Sequence, residues 1–142
     1  PILVYCKDQK IVCAIHSGWL GTVRQIVDHT IRYLIEKENC NPKEMYCLIG
    51  PCLSKKHLEV QDDVINQVKK MNFDTSPFYQ KTDENHYLLD NKGLNKQQLL
   101  NLGVLEENIQ VSSYCTNENN DLFFSHRVNH DGQRNVTIIK RK

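Results

Sequence analysis

The sequence lacks a long apolar run and lacks an excess of charge of either sign. No stretch approaches the roughly 18 consecutive apolar residues that a membrane span requires, so we expect no membrane partner. The 18 Lys and Arg residues nearly balance the 17 Asp and Glu residues, which gives a formal net charge of +1. Electrostatic binding of nucleic acid needs a clustered basic face, and the sequence shows none, so we expect no nucleic-acid partner.

The chain also lacks an internal repeat, a flexible linker and an initiator Met. Its 142 residues fit one domain, and a chain of this size can bury a core without a disulfide or a structural metal. We therefore predict a single domain over 1–142. The sequence starts at Pro1, inside an apolar run that ends at Cys6, and this unusual start leads us to expect a fragment of a longer protein.

Cysteine is plentiful for this length, at six residues: Cys6, Cys13, Cys40, Cys47, Cys52 and Cys115. Their spacing fits neither the Cys-x-x-Cys pairs of zinc knuckles nor a compact disulfide scaffold. Cys6, Cys13 and Cys47 lie inside apolar strand-like runs, where a thiol packs as a small hydrophobic group. Free thiols are typical of a reducing compartment, so we expect a cytoplasmic protein.

Hydrophobic patterning alternates between strand-like and helix-like segments. Short apolar runs predict six strands, at 1–6, 11–16, 45–49, 109–114, 122–125 and 136–140. Apolar residues at three- and four-residue spacing predict three helices, at 22–39, 60–71 and 94–102, and the polar stretch 72–86 is predicted as a loop. The pattern predicts an α/β protein of the mixed α+β kind, a layered mixed β-sheet sandwich with flanking helices.

Three clusters of chemically capable residues follow strand candidates, and the first begins at His16. The strand that ends there leads into Ser17-Gly18-Trp19 and then into the long helix. Ligands commonly bind at such a sheet edge, and glycine lets a ligand approach the backbone closely. His16 is therefore a candidate functional residue, although a turn His bonded to a backbone carbonyl would give the same pattern.

The second cluster is the thiol of Cys52, which follows Gly50-Pro51 and precedes Lys55-Lys56-His57. A loop Cys near a His can act as a nucleophile, but it can equally be an inert residue that fills space. The two lysines and the His that follow are more typical of a solvated turn than of a phosphate clamp.

The third cluster starts at Cys115-Thr116, passes through the polar turn 117–121 and continues with 123–127 and Arg134. Two phenylalanines there precede Ser125, His126 and Arg127. Aromatic residues beside a hydroxyl and two guanidinium groups indicate a pocket wall with anion-binding donors. Both phenylalanines cannot face inward on one regular strand, so one of them can simply be a surface aromatic residue.

In this order, the clusters resemble the motifs of the YfiH/YlmD family. That family was long labelled multicopper polyphenol oxidase (laccase-like) and is now read as purine nucleoside phosphorylases with adenosine deaminase activity. The family's V-H-A-G-W-R-G corresponds to 15–21, its G-P…Y-E-V to 50–60, and its C-T…F-F-S-x-R…G-R to 115–134. The resemblance covers nearly the whole chain and implies a YfiH-like fold, similar to that of Cys–His toxin domains.

The resemblance implies a zinc site, with copper as a possible substitute. One ligand would be His16, and the other two, a His and a Cys, are expected upstream of Pro1. Pro1 corresponds to the proline of the family's D-C-x-P motif, so the chain is expected to be the C-terminal portion of a truncated YfiH-like domain. Two imidazoles, one thiolate and an open position form a usual catalytic zinc arrangement.

The resemblance further implies phosphorolysis of adenosine or inosine, with purine nucleoside and phosphate as small-molecule partners, and possible deamination of adenosine by zinc-activated water. His16 and Arg127 would be catalytic. The residues implied for substrate or phosphate binding are Gly18, Trp19, Ser125, Arg127 and Arg134. Leu20 and Val128 stand where the family has Arg, so phosphate binding would fall to Arg127 and Arg134.

Three alternatives remain. A copper-dependent polyphenol oxidase fits the older family label, although coupled multicopper chemistry needs several His-rich sites and the chain has six His. A cysteine hydrolase would use Cys52 or Cys115 as its nucleophile. A non-catalytic remnant that serves as a structural or partner-binding module is the third. The sequence does not indicate an oligomeric state.

Overall fold

The computed structural model of the chain describes residues 1–130 and 132–141. It divides into two compact units. The first unit comprises Pro1–Gly50, Asn95–Ser112 and Thr137–Lys142, and the second comprises Pro51–Leu94 and Ser113–Val136. The described residues form seven strands and five α-helices. The prediction of a mixed α+β protein is thereby confirmed, with one strand and two helices more than the apolar pattern predicts.

The strands, in chain order, are β1 (Ile2–Cys6), β2 (Ile11–Ile15), β3 (Met45–Ile49), β4 (Glu59–Gln61), β5 (Tyr79–Lys81), β6 (His86–Leu89) and β7 (Ile109–Val111). The helices are α1 (Trp19–Val23), α2 (Ile26–Glu36), α3 (Asp62–Val68), α4 (Asn91–Asn101) and α5 (His126–Asn129). Within the described ranges, no helix is both long enough and apolar enough to cross a membrane.

The first unit contains a four-stranded sheet in the order β2-β1-β3-β7. The central strand β1 pairs antiparallel with β2 and β3, and β3 pairs parallel with β7. Alternate residues of β1 are buried because successive side chains point to opposite faces of a sheet. They join Val27, Ile31 and Leu34 of α2 in one hydrophobic core.

Cysteine contributes to this core as the sequence predicts. Cys6 and Cys47 are buried, and Cys13 is half-buried. Burial raises the pKa of all three thiols, and raises that of Cys47 to about 12. A neutral thiol with such a pKa packs as a small hydrophobic group, so the interpretation of these cysteines as packing residues is confirmed.

The second unit contains a three-stranded antiparallel sheet in the order β4-β6-β5. Val64, Ile65 and Val68 of α3 are buried, as their helical spacing predicts. The predicted loop at 72–86 is wrong in part, because it contains β5 and the first residue of β6. Those strands alternate too briefly for a period of two to show in the sequence.

The helix predicted over 60–71 begins two residues later, because Val60 and Gln61 belong to β4. Three other predicted elements differ more strongly from the structure. The helix predicted over 22–39 is interrupted at Gln25, whose φ of 56° lies in the left-handed region and ends the helical hydrogen-bond ladder between α1 and α2. The strand predicted over 122–125 is wrong, since Ser125 precedes helix α5. The strand predicted over 136–140 is also wrong: Val136 and Ile138 are 82% and 79% exposed, and branched residues alone do not make a strand without a ladder partner.

Candidate functional site

The first candidate site is the turn that joins β2 to α1 in the first unit. β2 ends at Ile15, and the His16 imidazole that follows is exposed. Gly18 is the extended residue before α1, and a Cβ there would lie 3.5 Å from His16 Nε2, so the imidazole ring lies against the glycine. Trp19, the first residue of α1, is 36% exposed. The turn therefore presents an imidazole and an indole to solvent.

A buried polar network holds this turn. The Ser17 hydroxyl donates to Asn95 Oδ1 over 2.7 Å, and Asn95 Nδ2 donates to Thr22 Oγ1 over 2.9 Å. The two hydroxyls of Ser17 and Thr22 lie 3.0 Å apart and share a further hydrogen bond. All three side chains are buried, and buried polar groups that satisfy one another fix a single conformation.

Gln98 extends the network to the break between α1 and α2. Its side-chain oxygen accepts from the Asp28 amide over 3.1 Å, and its side-chain nitrogen donates to the Thr22 carbonyl over 3.2 Å. Asn95 and Gln98 are one helical turn apart on α4, which is why one helix can contact both ends of the segment. Neither residue is predicted from the sequence as part of a site, because polar residues on a helix usually face solvent.

The second candidate site lies in the second unit, where the structure brings together the second and third sequence clusters. Cys52 and Cys115 pair in an isolated parallel β-bridge, and the Thr116 amide donates to the Cys52 carbonyl over 3.2 Å. Cys52 is half-buried, and burial raises the pKa of its thiol. A raised pKa reduces the thiolate fraction and disfavours Cys52 as a nucleophile.

Cys115 is 1% exposed and has a different environment. Burial raises the pKa of its thiol, but hydrogen bonds from Ser54 and from the backbone of Glu118 and Asn117 outweigh burial and leave the pKa below its usual value. The Ser54 amide lies 3.3 Å from the Cys115 sulfur. Amide donors stabilise the charged thiolate, which is the form that binds metals.

His57 and Glu118 complete this second site. His57 Nε2 lies 2.9 Å from Glu118 Oε1, and the Lys56 ammonium lies 3.6 Å from the same oxygen. Hydrogen bonding to His57 lowers the pKa of Glu118. One donor atom each from His57, Cys115 and Glu118 lies within 4.8 Å of the others, so this group could hold a metal ion. We call it the HCE cluster.

The predicted anion-binding residues lie in the same unit as the HCE cluster. Ser125 is buried, and its carbonyl accepts from the Val128 and Asn129 amides of α5. Arg127 is exposed, and its guanidinium donates to the Glu59 carbonyl over 3.3 Å. Arg134 is exposed and donates to the Gln133 carbonyl over 2.8 Å. Each arginine thus makes a backbone contact, and each stays accessible to an anion.

The two phenylalanines that precede these residues differ in their exposure, as the sequence analysis of a regular strand allows. Phe123 is half-buried and packs on Tyr114, with ring centroids 5.7 Å apart. Phe124 is 45% exposed, and its backbone exchanges two hydrogen bonds with the Asn135 side chain. One phenylalanine contributes to an aromatic contact and the other remains a surface residue.

The surroundings of His16 and the HCE cluster differ in how well their donor atoms fit zinc. Within the described part of the first unit, no two further His, Cys, Asp or Glu donors gather with His16. His16 can supply one ligand, and the residues around it do not complete a zinc site. The HCE cluster instead offers an imidazole nitrogen, a sulfur and a carboxylate oxygen, all of which zinc accepts.

Comparison with known proteins gives consistent matches over 89–100% of the chain. A family model described as "Multi-copper polyphenol oxidoreductase laccase" matches residues 1–142. The chain is 35% identical over 127 residues to "Purine nucleoside phosphorylase YlmD" of Bacillus subtilis, which covers 89% of this chain and 46% of that protein. It is 33% identical over 144 residues to "Purine nucleoside phosphorylase" of Staphylococcus epidermidis, which covers 100% of this chain and 52% of that protein.

Solved structures agree with these relatives. The hypothetical protein YfiH of Bacillus licheniformis superposes with a TM-score of 0.86 at 31% identity, over 89% of this chain and 48% of that one. YlmD of Geobacillus stearothermophilus superposes with a TM-score of 0.85 at 34% identity, over 89% of this chain and 47% of that one. The chain thus spans about half the length of the relatives it matches.

Proposed function

The chain belongs to the multi-copper polyphenol oxidoreductase laccase family, and we propose that it acts, within a longer protein, as a zinc-dependent purine nucleoside phosphorylase. The observation that carries the proposal is the 35% identity, over 89% of the chain, to a relative named purine nucleoside phosphorylase. The chain spans 46% of that relative, so the substrates and the activity of the whole protein belong to the proposal. The proposed setting is the cytoplasm.

His16 is the proposed metal ligand of this chain. Its imidazole is exposed at the end of β2, and the network of Ser17, Thr22 and Asn95 holds the turn that carries it. Zinc bound there would polarise a substrate group or activate a water molecule. The remaining ligands of that site would be the upstream His and Cys that the family resemblance implies.

The proposed substrate contacts are the residues that the family resemblance implies. Gly18 lies against the imidazole, and the exposed Trp19 indole offers an aromatic face on which a purine can stack. The Arg127 and Arg134 guanidinium groups are proposed to hold phosphate, which forms short paired hydrogen bonds with arginine. The Ser125 backbone anchors the helix that carries Arg127.

In the proposed reaction, a phosphate oxygen forms a bond to C1′ of the ribose while the bond from C1′ to the purine nitrogen breaks. The purine leaves with the electron pair and takes up a proton. Cationic donors stabilise the charge of the incoming phosphate, and such electrostatic preorganisation is a large part of enzymatic rate enhancement. Adenosine and inosine are the proposed nucleosides, and the deamination of adenosine is a proposed second activity.

One observation favours a second candidate function, a cysteine hydrolase. The Cys115 thiol has a lowered pKa and shares the HCE cluster with an imidazole, which is the pairing that activates a nucleophilic cysteine. Its sulfur belongs to a residue that is only 1% exposed, however, and a nucleophile must reach its substrate. We therefore place this candidate second.

The test measures purine release from inosine and adenosine by the protein that carries the upstream residues, with and without inorganic phosphate. Phosphate-dependent appearance of free base together with ribose 1-phosphate supports the proposal. Ammonia from adenosine supports the second activity. Base release that needs no phosphate, or oxidation of a phenol on addition of copper with no base release, would contradict phosphorolysis as the function.

A further inference from the structure

We infer that the HCE cluster, formed by His57, Cys115 and Glu118, is a zinc-binding site that is separate from the His16 position. The three residues come from two chain segments, and His57 is 61 positions from Glu118 in sequence. The inference goes beyond the proposed function, because the family resemblance places the catalytic zinc on His16 and on ligands upstream of Pro1. The ligand class is a divalent cation that accepts sulfur, nitrogen and oxygen together.

The donor geometry is close to that of an occupied zinc site. With Zn–S near 2.3 Å and Zn–N and Zn–O near 2.0–2.2 Å, the ligand atoms of a tetrahedral site lie roughly 3.3–3.6 Å apart. The donor atoms of the HCE cluster lie within 4.8 Å of one another, with His57 Nε2 and Glu118 Oε1 at 2.9 Å. Side-chain shifts of about 1 Å would therefore complete a tetrahedral arrangement.

The backbone holds the sulfur and the carboxylate on one turn. Cys115 and Glu118 are three residues apart, and Asn119 closes the turn, because its amide donates to the Cys115 carbonyl over 2.9 Å and its side-chain oxygen accepts from the Cys115 amide. The Ser54 amide donates to the sulfur itself. Hydrogen bonds of this kind orient a metal ligand before the ion binds.

Access from solvent also suits a cation. The side chains of His57 and Glu118 are 26% and 45% exposed, so an ion can enter from solvent while the sulfur stays buried. The Lys56 ammonium lies 3.6 Å from one carboxylate oxygen of Glu118, but the Lys56 side chain is 77% exposed and can rotate away from it. Three protein donors leave a fourth position for water, and the ion would link two segments of the second unit that are distant in sequence.

The experiment titrates the 142-residue protein with Co²⁺ in reducing, oxygen-free buffer, and then adds Zn²⁺ in competition. A thiolate ligand gives a charge-transfer band in the near ultraviolet that neither an imidazole nor a carboxylate produces. We expect one equivalent of Co²⁺ to give this band, and Zn²⁺ to remove it by displacing Co²⁺. No band, or a band that Zn²⁺ does not remove, would overturn the inference.

Variants identify the ligands. Cys115→Ser should abolish the band, and Glu118→Gln, which changes an exposed side chain without altering its shape, should weaken Co²⁺ binding by at least about tenfold. Circular dichroism on each variant separates ligand loss from unfolding, and Glu118→Gln tests the site even where Cys115→Ser fails to fold. Full affinity in Glu118→Gln would overturn the assignment.

Two matched control variants test whether the loss of metal binding is specific to the HCE cluster. Cys52→Ser removes the neighbouring thiol outside the HCE cluster, and His16→Ala removes the imidazole that belongs to the proposed function. We expect both variants to keep the band and the affinity of the parent. Loss of the band in Cys52→Ser would show that Cys52 supplies the thiolate ligand, which would overturn the assignment to the HCE cluster. Loss of the band in His16→Ala would overturn the statement that the site is separate from the His16 position.

Discussion

Ser17 donates a hydrogen bond of 2.7 Å to Asn95, a residue 78 positions later in the chain. Both side chains are buried, so the bond links the turn that follows β2 to the helix α4 in an interior where water does not compete. The exposed His16 owes its position to this bond, because the residue directly after it cannot move without leaving buried polar atoms unpaired.

Replacement of Asn95 by Leu should destabilise the protein, because the shape is kept while the Ser17 and Thr22 hydroxyls lose a buried partner. We expect a loss of about 1–3 kcal/mol in the free energy of unfolding, measured by urea denaturation. Asn101→Leu, at an exposed position on the same helix, is the control and should change stability by less than about 0.5 kcal/mol. Equal effects from the two substitutions would contradict the network.

Ile31 tests the hydrophobic core of the first unit. It is fully buried on α2, so Ile31→Ala should cost about 2–5 kcal/mol through lost burial and a residual cavity. The matched variant Ile138→Ala removes the same atoms from a side chain that is 79% exposed. The midpoint of thermal unfolding should therefore fall much further in Ile31→Ala than in Ile138→Ala. An Ile31→Ala variant as stable as Ile138→Ala would show that α2 does not pack as described.

The Asp83–His86 pair predicts a pH-dependent contribution to stability. Its atoms Oδ1 and Nδ1 lie 2.8 Å apart, and this hydrogen bond raises the pKa of His86 above 6.5 and lowers that of Asp83 below 3.8. The His86 contribution is complete below 6.5 and is lost as the pH rises through its raised folded value. The Asp83 contribution is present above 3.8 and is lost as the pH falls through its lowered folded value.

Asp83→Asn should therefore destabilise the protein most at about pH 4–6.5, and its effect should fade at alkaline pH. Urea unfolding of the parent and the variant across that range measures the difference. Glu59 and Asp62 also favour the charged form of His86, so Asp83→Asn is expected to reduce the pH dependence without removing it. A destabilisation that is the same at about pH 5.5 and pH 9 would rule out the charged pair.

Thiol reactivity provides a separate check on the cysteines. Cys6 and Cys47 are buried with raised pKa values, so iodoacetamide at neutral pH should leave both unlabelled in the folded protein. Mass spectrometry of peptides after labelling, with and without denaturant, measures the protection of each residue. Rapid labelling of Cys47 in the absence of denaturant would contradict its place in the core.

Much of the first unit could be predicted from the sequence. The hairpin of β1 and β2, the strand β3 and the buried face of α2 each have a clear apolar period, and Gly103 ends α4 with a φ of 86°, as a left-handed helix end requires. The interruption at Gln25 was not predictable, because Gln is not a residue that marks a left-handed backbone position.

The candidate sites were predictable only in part. His16 is predictable as a candidate because it ends a predicted strand and is followed by Ser17-Gly18, which is a local pattern. The HCE cluster depends on a contact between His57 and Glu118 across 61 residues, and no local spacing carries that information. Taken alone, His57 is typical of a solvated turn and Glu118 of a polar turn, while Cys115 is a candidate nucleophile rather than a metal ligand.

The most direct test of the proposed function is phosphate-dependent release of hypoxanthine from inosine by the protein that carries the upstream residues, compared with its His16→Ala and His29→Ala variants. Both imidazoles are exposed in the first unit, so neither substitution should disturb the core, and circular dichroism checks this. The proposal predicts that His16→Ala lowers kcat/KM by at least about a thousandfold, roughly 4 kcal/mol of transition-state stabilisation, while His29→Ala retains parental turnover. Near-normal turnover in His16→Ala would contradict the proposal that His16 holds the catalytic metal.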